Sequence, residues 1–233
     1  MAETRKRRAR NPEATREAIL IAAQTMLAKD GPEALSLSKV AVLAGVNRGT
    51  AYQHFETREK LVAATIEWVS DQMFEAVFGH ATAGGERQLD EPDTLKVTDR
   101  LGHYAMDNPE LCRIWLLQLL ASPNPSHDRF WREYSGSLGR FAESDRARPG
   151  IDVEVFSLIS LAGYFLWPIW ARAHSRNSEE RDRLAQRFNR EMLRLSLYGT
   201  LDPAKHPETL QTISKLLDKA GDPAKPAPRA ARH

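Results

Sequence analysis

The sequence predicts an all-α fold, and three observations carry that reading. Apolar residues recur at spacings of three and four, no segment alternates apolar and polar side chains as a half-buried strand does, and the breaks fall at Pro, Gly and Asn. With 233 residues, 42% of them hydrophobic, the chain can bury a core as one large domain or two modest ones. The expected division is a basic arm over 1–10, a three-helix module over 11–60, a second helical region over 61–219 and a tail over 220–233.

Taken in order, residues 1–10 carry five basic side chains with little apolar content to fold around, so disorder is expected there. The arm is either a solubilising tail or a strap that follows phosphates into a neighbouring minor groove. Asn11-Pro12-Glu13 then reads as a helix start: a capping side chain, a proline whose missing N–H is harmless, and an acid at the positive end of the helix dipole. Ile19, Ala22, Ala23, Met26 and Leu27 form one apolar stripe, and Gly31 and Pro32 stop the helix.

The stretch from Ser36 to Lys60 is the most informative. A helix is expected after Ser36, whose hydroxyl can accept from a free backbone N–H, with Val40, Ala41 and Ala44 on one face. Gly45 suits the left-handed turn that ends it, Val46 plugs the corner and Asn47 caps a second helix. Ala51, Tyr52 and Phe55 fall at spacings that face inward or flank the docked side, which leaves Arg48, Gly49, Thr50 and Gln53 outward. A second helix braced in this way can lay its first turn in the major groove of DNA, where each base pair shows its own pattern. Arg48 is best placed to grip guanine O6 and N7, whereas Thr50, Tyr52, His54, Arg58 and Lys60 suit phosphates. The plainer alternative is two packed helices with a solvated polar face; small residues, turn glycine, cap and basic outward face together favour the DNA-binding helix-turn-helix.

The run from Ala44 to Phe55, followed by Thr57-Arg58-Glu59-Lys60-Leu61, resembles the TetR/AcrR family of bacterial transcriptional regulators, over roughly Asn11 to Val62. The resemblance implies a homodimeric, all-helical repressor whose C-terminal half binds a small-molecule inducer. By the family's pattern Arg48, Gly49 and Tyr52 lie over bases, and Ser36, Thr50, Gln53, His54 and Arg58 touch the DNA backbone, with the cap Asn47 and Lys60 in the same docking set. Ser38 falls where some members place a base-reading arginine. The chain departs from the usual motif at Ala51, where a larger aliphatic is common, and at Lys39, where an acid is frequent, so operator sequence does not follow.

Charge supports a polyanion partner for this end alone. Residues 1–60 hold eleven Lys/Arg against seven Asp/Glu, and the rest hold twenty-two against twenty-four. One cysteine, Cys112, excludes an intrachain disulfide, which makes a reducing, cytoplasmic compartment the expectation. Its expected role is a small buried apolar residue. The basic N-terminus lacks the apolar run of a signal peptide. The uncharged stretch 156–171 is shorter than the roughly 20 residues of a membrane span, so no membrane partner is expected.

A fourth helix is expected from Thr57 towards Phe78, with Leu61, Thr65, Trp68, Val69, Gln72, Met73 and Ala76 on its inner side, coupling the DNA-reading module to the second helical region. Gly79, Gly84 and Gly85 mark a loop. Further helices are expected over Asp93–Met106, from Asn108-Pro109-Glu110 through the apolar LCRIWLLQLL to Ser122, around Phe130 to Phe141, and over about Asp152–His174 and Ser178–Tyr198. The LCRIWLLQLL helix, apolar almost all round, is expected to be central and buried. The helix with Phe156, Ile159, Ala162, Gly163, Phe165 and Trp167 is either the core of one subunit or a dimer seam approached through Ala162 and Gly163; its surplus apolar surface favours the seam.

No catalytic constellation is present in the sequence, and no cofactor motif. Asp99 and His103 stand four apart, as a metal pair or, in preference, an ion pair or hydrogen-bonded histidine. His103, Tyr104, Trp115, Leu119, Trp131, Tyr134 and Trp167 are the candidate lining of an effector pocket for an apolar or aromatic small molecule, against core packing as the plainer reading. The expected function is a ligand-responsive homodimeric repressor on a palindromic double-stranded operator, not an enzyme. The alternative is an activator or a ligand-independent DNA binder of the same fold.

Overall fold

The computed structural model describes residues 11–79 and 91–200, and every regular element among them is helical. The helices are α1 (Pro12–Asp30), α2 (Leu37–Leu43), α3 (Arg48–His54), α4 (Arg58–Phe78), α5 (Glu91–Asp107), α6 (Pro109–Ala121), α7 (Arg129–Ala142), α8 (Val153–His174) and α9 (Ser178–Thr200), with short 3-10 turns at Pro32–Ala34 and Pro125–His127. The expected arm 1–10, the tail 220–233 and the glycines at 84 and 85 lie outside the described residues.

Helix starts follow the local chemistry. Asn11 Oδ1 accepts from Glu13 N at 3.0 Å, Asp128 Oδ1 from Trp131 N at 2.9 Å, Asp152 Oδ1 from Val155 N at 3.0 Å and Asn177 Oδ1 from Glu180 N at 2.9 Å. Each satisfies a backbone donor that the helix itself leaves open. α1 ends at Gly31 (φ 78), whose N–H returns to Leu27 O at 3.1 Å.

Two compact units share the chain: Met1–Met73 with Glu110–Ser122, and Phe74–Pro109 with Pro123–His233. The division falls inside α4 rather than at residue 60, and α6 groups with the N-terminal unit although its sequence pointed to the C-terminal domain. In that first unit Ile19, Leu20, Ala23 and Leu27 of α1, Val40 and Ala41 of α2, Ala51 of α3, and Leu61, Thr65, Val69 and Met73 of α4 are buried, as are Cys112, Ile114, Trp115 and Leu116 of α6. Burial pushes the Cys112 thiol well above its ordinary range, so it behaves as an apolar filler. Two expectations fail here. Ala76 is exposed, because at 3.6 residues per turn the stripe from Leu61 passes on to Val77. α6 is not buried all round either: Leu117 and Leu120 are 50% and 57% exposed.

The second unit is built on aromatic contacts. Phe130 of α7 lies 5.7 Å from Phe78, 5.9 Å from Tyr134 and 6.4 Å from Phe165 of α8 between ring centroids. Arg129 sits over the Phe74 ring at 3.8 Å and pairs with Glu75 at 2.8 Å, fastening the start of α7 to the end of α4. α5 approaches α9 closely at Gly102, where an added methyl would lie 2.8 Å from Asn189 Oδ1. Gly163 does not face a partner subunit: its hydrogen looks onto Phe188 and Met192 of α9 in the same chain, at 3.4 and 3.5 Å from where a Cβ would stand. Phe165 is likewise fully buried in its own subunit. Of the residues expected at a seam Ile159 is exposed, and with Val155, Leu166 and Trp170 it forms the apolar surplus of α8, at 64%, 51%, 46% and 43% exposure.

By length and composition α8 could cross a bilayer, contrary to what its uncharged stretch suggested. It packs on α5, α7 and α9, and it buries Ser157, Ser160 and Tyr164 beside Leu161, Phe165 and Pro168.

Candidate nucleic-acid interface

The interface starts from the corner between α2 and α3. Ser36 Oγ accepts from Lys39 N at 3.3 Å and opens α2. At its end Gly45 N returns to Val42 O at 3.1 Å and Val46 N to Ala41 O at 3.0 Å, the paired bonds of a Schellman closure, with Gly45 at φ 63. Nothing lies within 4 Å of where a Gly45 Cβ would be, so the demand for glycine comes from the backbone angle alone. Val46 is buried against this corner and Asn47 turns the chain into α3: its Oδ1 accepts from Thr50 N at 2.7 Å and from Thr50 Oγ1 at 2.9 Å.

α3 is anchored from beneath by Ala51, fully buried, and by Phe55 at its end, whose ring carries the Arg16 guanidinium at 5.2 Å. The side chain at 51, small for the sequence pattern, is fully buried. With that face down, Asn47, Arg48, Gly49, Tyr52 and Gln53 are exposed and Thr50 and His54 half-buried. Arg48 lies over the Tyr52 ring at 5.5 Å, one turn along the same helix, so cation and phenol form one ledge on the outer side of α3. Ser38 is half-buried and Lys39 exposed on α2. Gly49 has no positive φ, and a methyl there would meet only Asn47 Oδ1 at 3.4 Å. Nothing inside the chain requires glycine at that position.

The start of α4 differs from the sequence reading. Thr57 caps it, Oγ1 accepting from Lys60 N at 3.2 Å. The Glu59 carboxyl, bonded by its own backbone N–H and by Thr57, is held below its usual range. Lys60 pairs with Glu56, whose carboxyl is lowered by that hydrogen bond; both are solvent-facing. Arg58, expected at phosphates, reaches back across the module: Nε donates to Leu35 O at 3.0 Å and Nη2 to Pro32 O at 2.7 Å, with Glu33 Oε2 at 3.4 Å. Sequence reasoning missed this clasp and the Arg16–Phe55 contact. The one signal available for the clasp was a cation at the first position of a helix, where the dipole disfavours it.

The candidate effector residues do not converge on the described cavity. That cavity, about 500 Å³, is an open trough in the first unit lined by Ile21, Gln24, Thr25, Ala28 and Lys29 of α1 and Leu111 of α6. Trp115 and Leu119 are buried in the first unit, and the other five belong to the second. His103 is exposed, its Nδ1 2.8 Å from Asp99 O and 3.4 Å from Asp99 Oδ1. Trp131 is buried and Tyr104 half-buried. Trp167 is spent on α9: its indole N–H donates to Leu184 O at 3.2 Å and its ring stacks on Phe188 at 5.3 Å and Trp170 at 4.7 Å. Tyr134 hydrogen-bonds Ser160, and burial pushes its phenol and that of Tyr164 well above their usual range, Tyr164 also feeling Tyr134 and Asp99. Among the described residues no three of His, Cys, Asp and Glu are grouped to hold a metal ion.

Comparison with known proteins bears on the reader and the fold separately. Residues 19–65 match the family described as bacterial regulatory proteins, tetR family. An HTH-type transcriptional repressor of Mycobacterium tuberculosis and an HTH-type transcriptional regulator of Mycobacterium bovis are each 29% identical over 112 residues, 48% of this chain and 60% of theirs. The chain thus matches less than two thirds of the length of these relatives. A solved gamma-butyrolactone receptor, ArpA-like, is 20% identical, with 90% of this chain and 100% of that one aligned at a TM-score of 0.58. A SmeT-triclosan complex is 21% identical, covering 81% and 92% at 0.54. At such identities the structures establish a shared fold.

The cap at Asn47 yields a stability prediction. Asn47→Ala removes the acceptor for Thr50 N, and thermal or urea denaturation should show a loss of about 1 kcal/mol; a loss near zero would mean α3 does not depend on its cap.

Proposed function

We propose that the chain, whose residues 19–65 match the tetR family of bacterial regulatory proteins, is a homodimeric transcriptional repressor, released from a palindromic operator by a small apolar or aromatic effector. One observation carries the DNA-binding part: α3 presents Arg48, Gly49, Tyr52 and Gln53 outward from a helix whose other face is locked down by Ala51. Arg48 reads a base edge with its forked donors, and Tyr52 lies alongside. Asn47 orients the turn, and Thr50, Gln53, His54, Ser36 and Ser38 supply polar contacts at the edges of the groove. Lys60 exchanges Glu56 for a phosphate, which costs little because exposed ion pairs are weak. Gly49 allows the helix backbone to approach the duplex; that is the use for a glycine the fold itself does not need.

Two readers must be presented together to match half-sites repeating at about 34–36 Å. The stripe on α8 with Leu195 and Tyr198 of α9, 53% and 55% exposed, supports a two-fold seam with a second copy of the chain. Solved relatives of this fold include a triclosan complex and gamma-butyrolactone receptors, which supports a small, largely apolar effector here too. The buried phenols of Tyr134 and Tyr164 are polar groups suited to orienting one in the second unit. Release then requires only that the effector bind the DNA-free form more tightly than the DNA-bound one.

Selection from a random-sequence duplex pool at moderate salt tests the central reading: two-fold symmetric sites should be enriched, and no enrichment would reject it. On the site recovered, Arg48→Ala should weaken binding by about 1 to 3 kcal/mol and relax preference at one base pair per half-site. Gly49→Ala should raise the melting temperature slightly, since alanine is the better helix former, yet weaken operator binding; undiminished binding would mean the backbone does not approach DNA there. Ile159→Asp should give a monomeric mass by light scattering and lose at least tenfold in operator affinity, whereas a dimer that persists would displace the seam from α8.

A further inference from the structure

We infer that Arg58 is a positioning residue of the reader and not one of its phosphate contacts: it ties the first turn of α4 to the connection ahead of α2 and so sets the angle at which α3 meets a duplex. The inference rests on the DNA-binding reading above and assigns the residue a role opposite to the one its place in the sequence suggests.

Arg58 follows the cap Thr57 as the first residue of α4, at the positive end of that helix's dipole, where a cation is disfavoured unless something else holds it. What holds it is a fork of donors spread over one short segment. Nε bonds Leu35 O at 3.0 Å and Nη2 bonds Pro32 O at 2.7 Å. Pro32 O already accepts from Leu35 N at 3.2 Å, closing the 3-10 turn, so the guanidinium completes a carbonyl that the turn uses. Leu35 itself is buried, and the next residue, Ser36, is the cap of α2. The clasp therefore fixes the backbone immediately before the helix on which α3 is folded.

The fork is specific to arginine. Two donors from different nitrogens reach two carbonyls in fixed relative directions, and a lysine ammonium, one point on a flexible stem, cannot span both. Bonds from a charged donor are also stronger than neutral ones, so turning Arg58 out towards a phosphate means abandoning both carbonyls. Lys60, on the same turn of α4, has only an exposed carboxylate to leave. The two cations divide the work: Lys60 is available to the duplex, and Arg58 is committed to the fold. A tilt of α4 would then carry the start of α2 with it, moving the reader as one piece.

The test uses the full-length dimer, the operator recovered by selection and a scrambled duplex of equal length, with affinities measured by fluorescence anisotropy across a salt series well below each variant's melting temperature. Arg58→Gln and Arg58→Lys should each lose about tenfold on the operator, change little on the scrambled duplex, and keep the parent's salt slope. Lys60→Gln should weaken both duplexes and flatten the slope by about 0.9. Arg58→Lys matching the parent while Arg58→Gln behaves like Lys60→Gln would make Arg58 a phosphate contact and overturn the inference. Variants that melt earlier but bind both duplexes like the parent would reduce the clasp to fold stability, which overturns it equally. If Arg58→Gln does not fold, Arg58→Lys alone decides between these outcomes. A parent with no preferred duplex defeats the DNA-binding reading itself, and the inference with it; a discriminating parent with parent-like variants defeats the inference alone.

Discussion

The corner between α2 and α3 is the constraint on which the rest of the reading depends. Each of these helices has seven residues, far short of the length of about 12 to 15 at which an isolated helix becomes marginally stable in water. They persist because Val40, Ala41 and Ala51 are buried between them and their neighbours, and because Gly45, Val46 and Asn47 close one helix and open the next with side-chain and backbone bonds over three residues. Burial supplies the stability and the corner supplies the direction. Once α3 is pinned by Ala51, its outward residues follow from the helical repeat.

α4 extends the same logic over a longer distance. Its first turn is capped by Thr57 and fastened by Arg58 to the segment ahead of α2, and its last turn is fastened within the second unit by Arg129 to Phe74 and Glu75 and by Arg100 to Val77 O at 3.3 Å. Its 21 residues supply side chains to both units without a proline or glycine to bend at. The coupling role expected of this helix is a question of what happens between its two fastened ends, and each end is fixed by contacts within its own unit.

What could be read in advance was what local chemistry decides. The caps at Asn11, Ser36 and Asn47, the stop at Gly31 and the left-handed Gly45 all depend on residues within four positions of one another, and each stands where the sequence put it. What could not be read depends on partners far along the chain. Arg58 meets carbonyls 23 and 26 residues back. Gly163 looked like a point of approach for another subunit because a small residue on an apolar helix signals closeness and not which helix comes close; the neighbour is α9 of the same chain. α6 was assigned by its place in the order of helices, but apolar faces are interchangeable, and it packs with the N-terminal unit. The effector residues suffered most from this degeneracy, since an aromatic ring suits a core, a seam and a pocket alike, and Trp167 belongs to the contact with α9.

The same distinction governs how charge near the interface should be counted. The first 60 residues carry a net surplus of basic groups, and a surplus alone treats every cation as available to a polyanion. The structure sorts them by what each would give up. Arg48 rests on an aromatic face that it can keep while its donors point outward. Lys60 has an exposed carboxylate, an interaction that salt screens and a phosphate replaces. Arg58 holds two backbone carbonyls, and turning out to a phosphate gives up both bonds. Equal formal charges within a dozen residues therefore contribute unequally: one to reading, one to attraction, one to the geometry on which the reading depends.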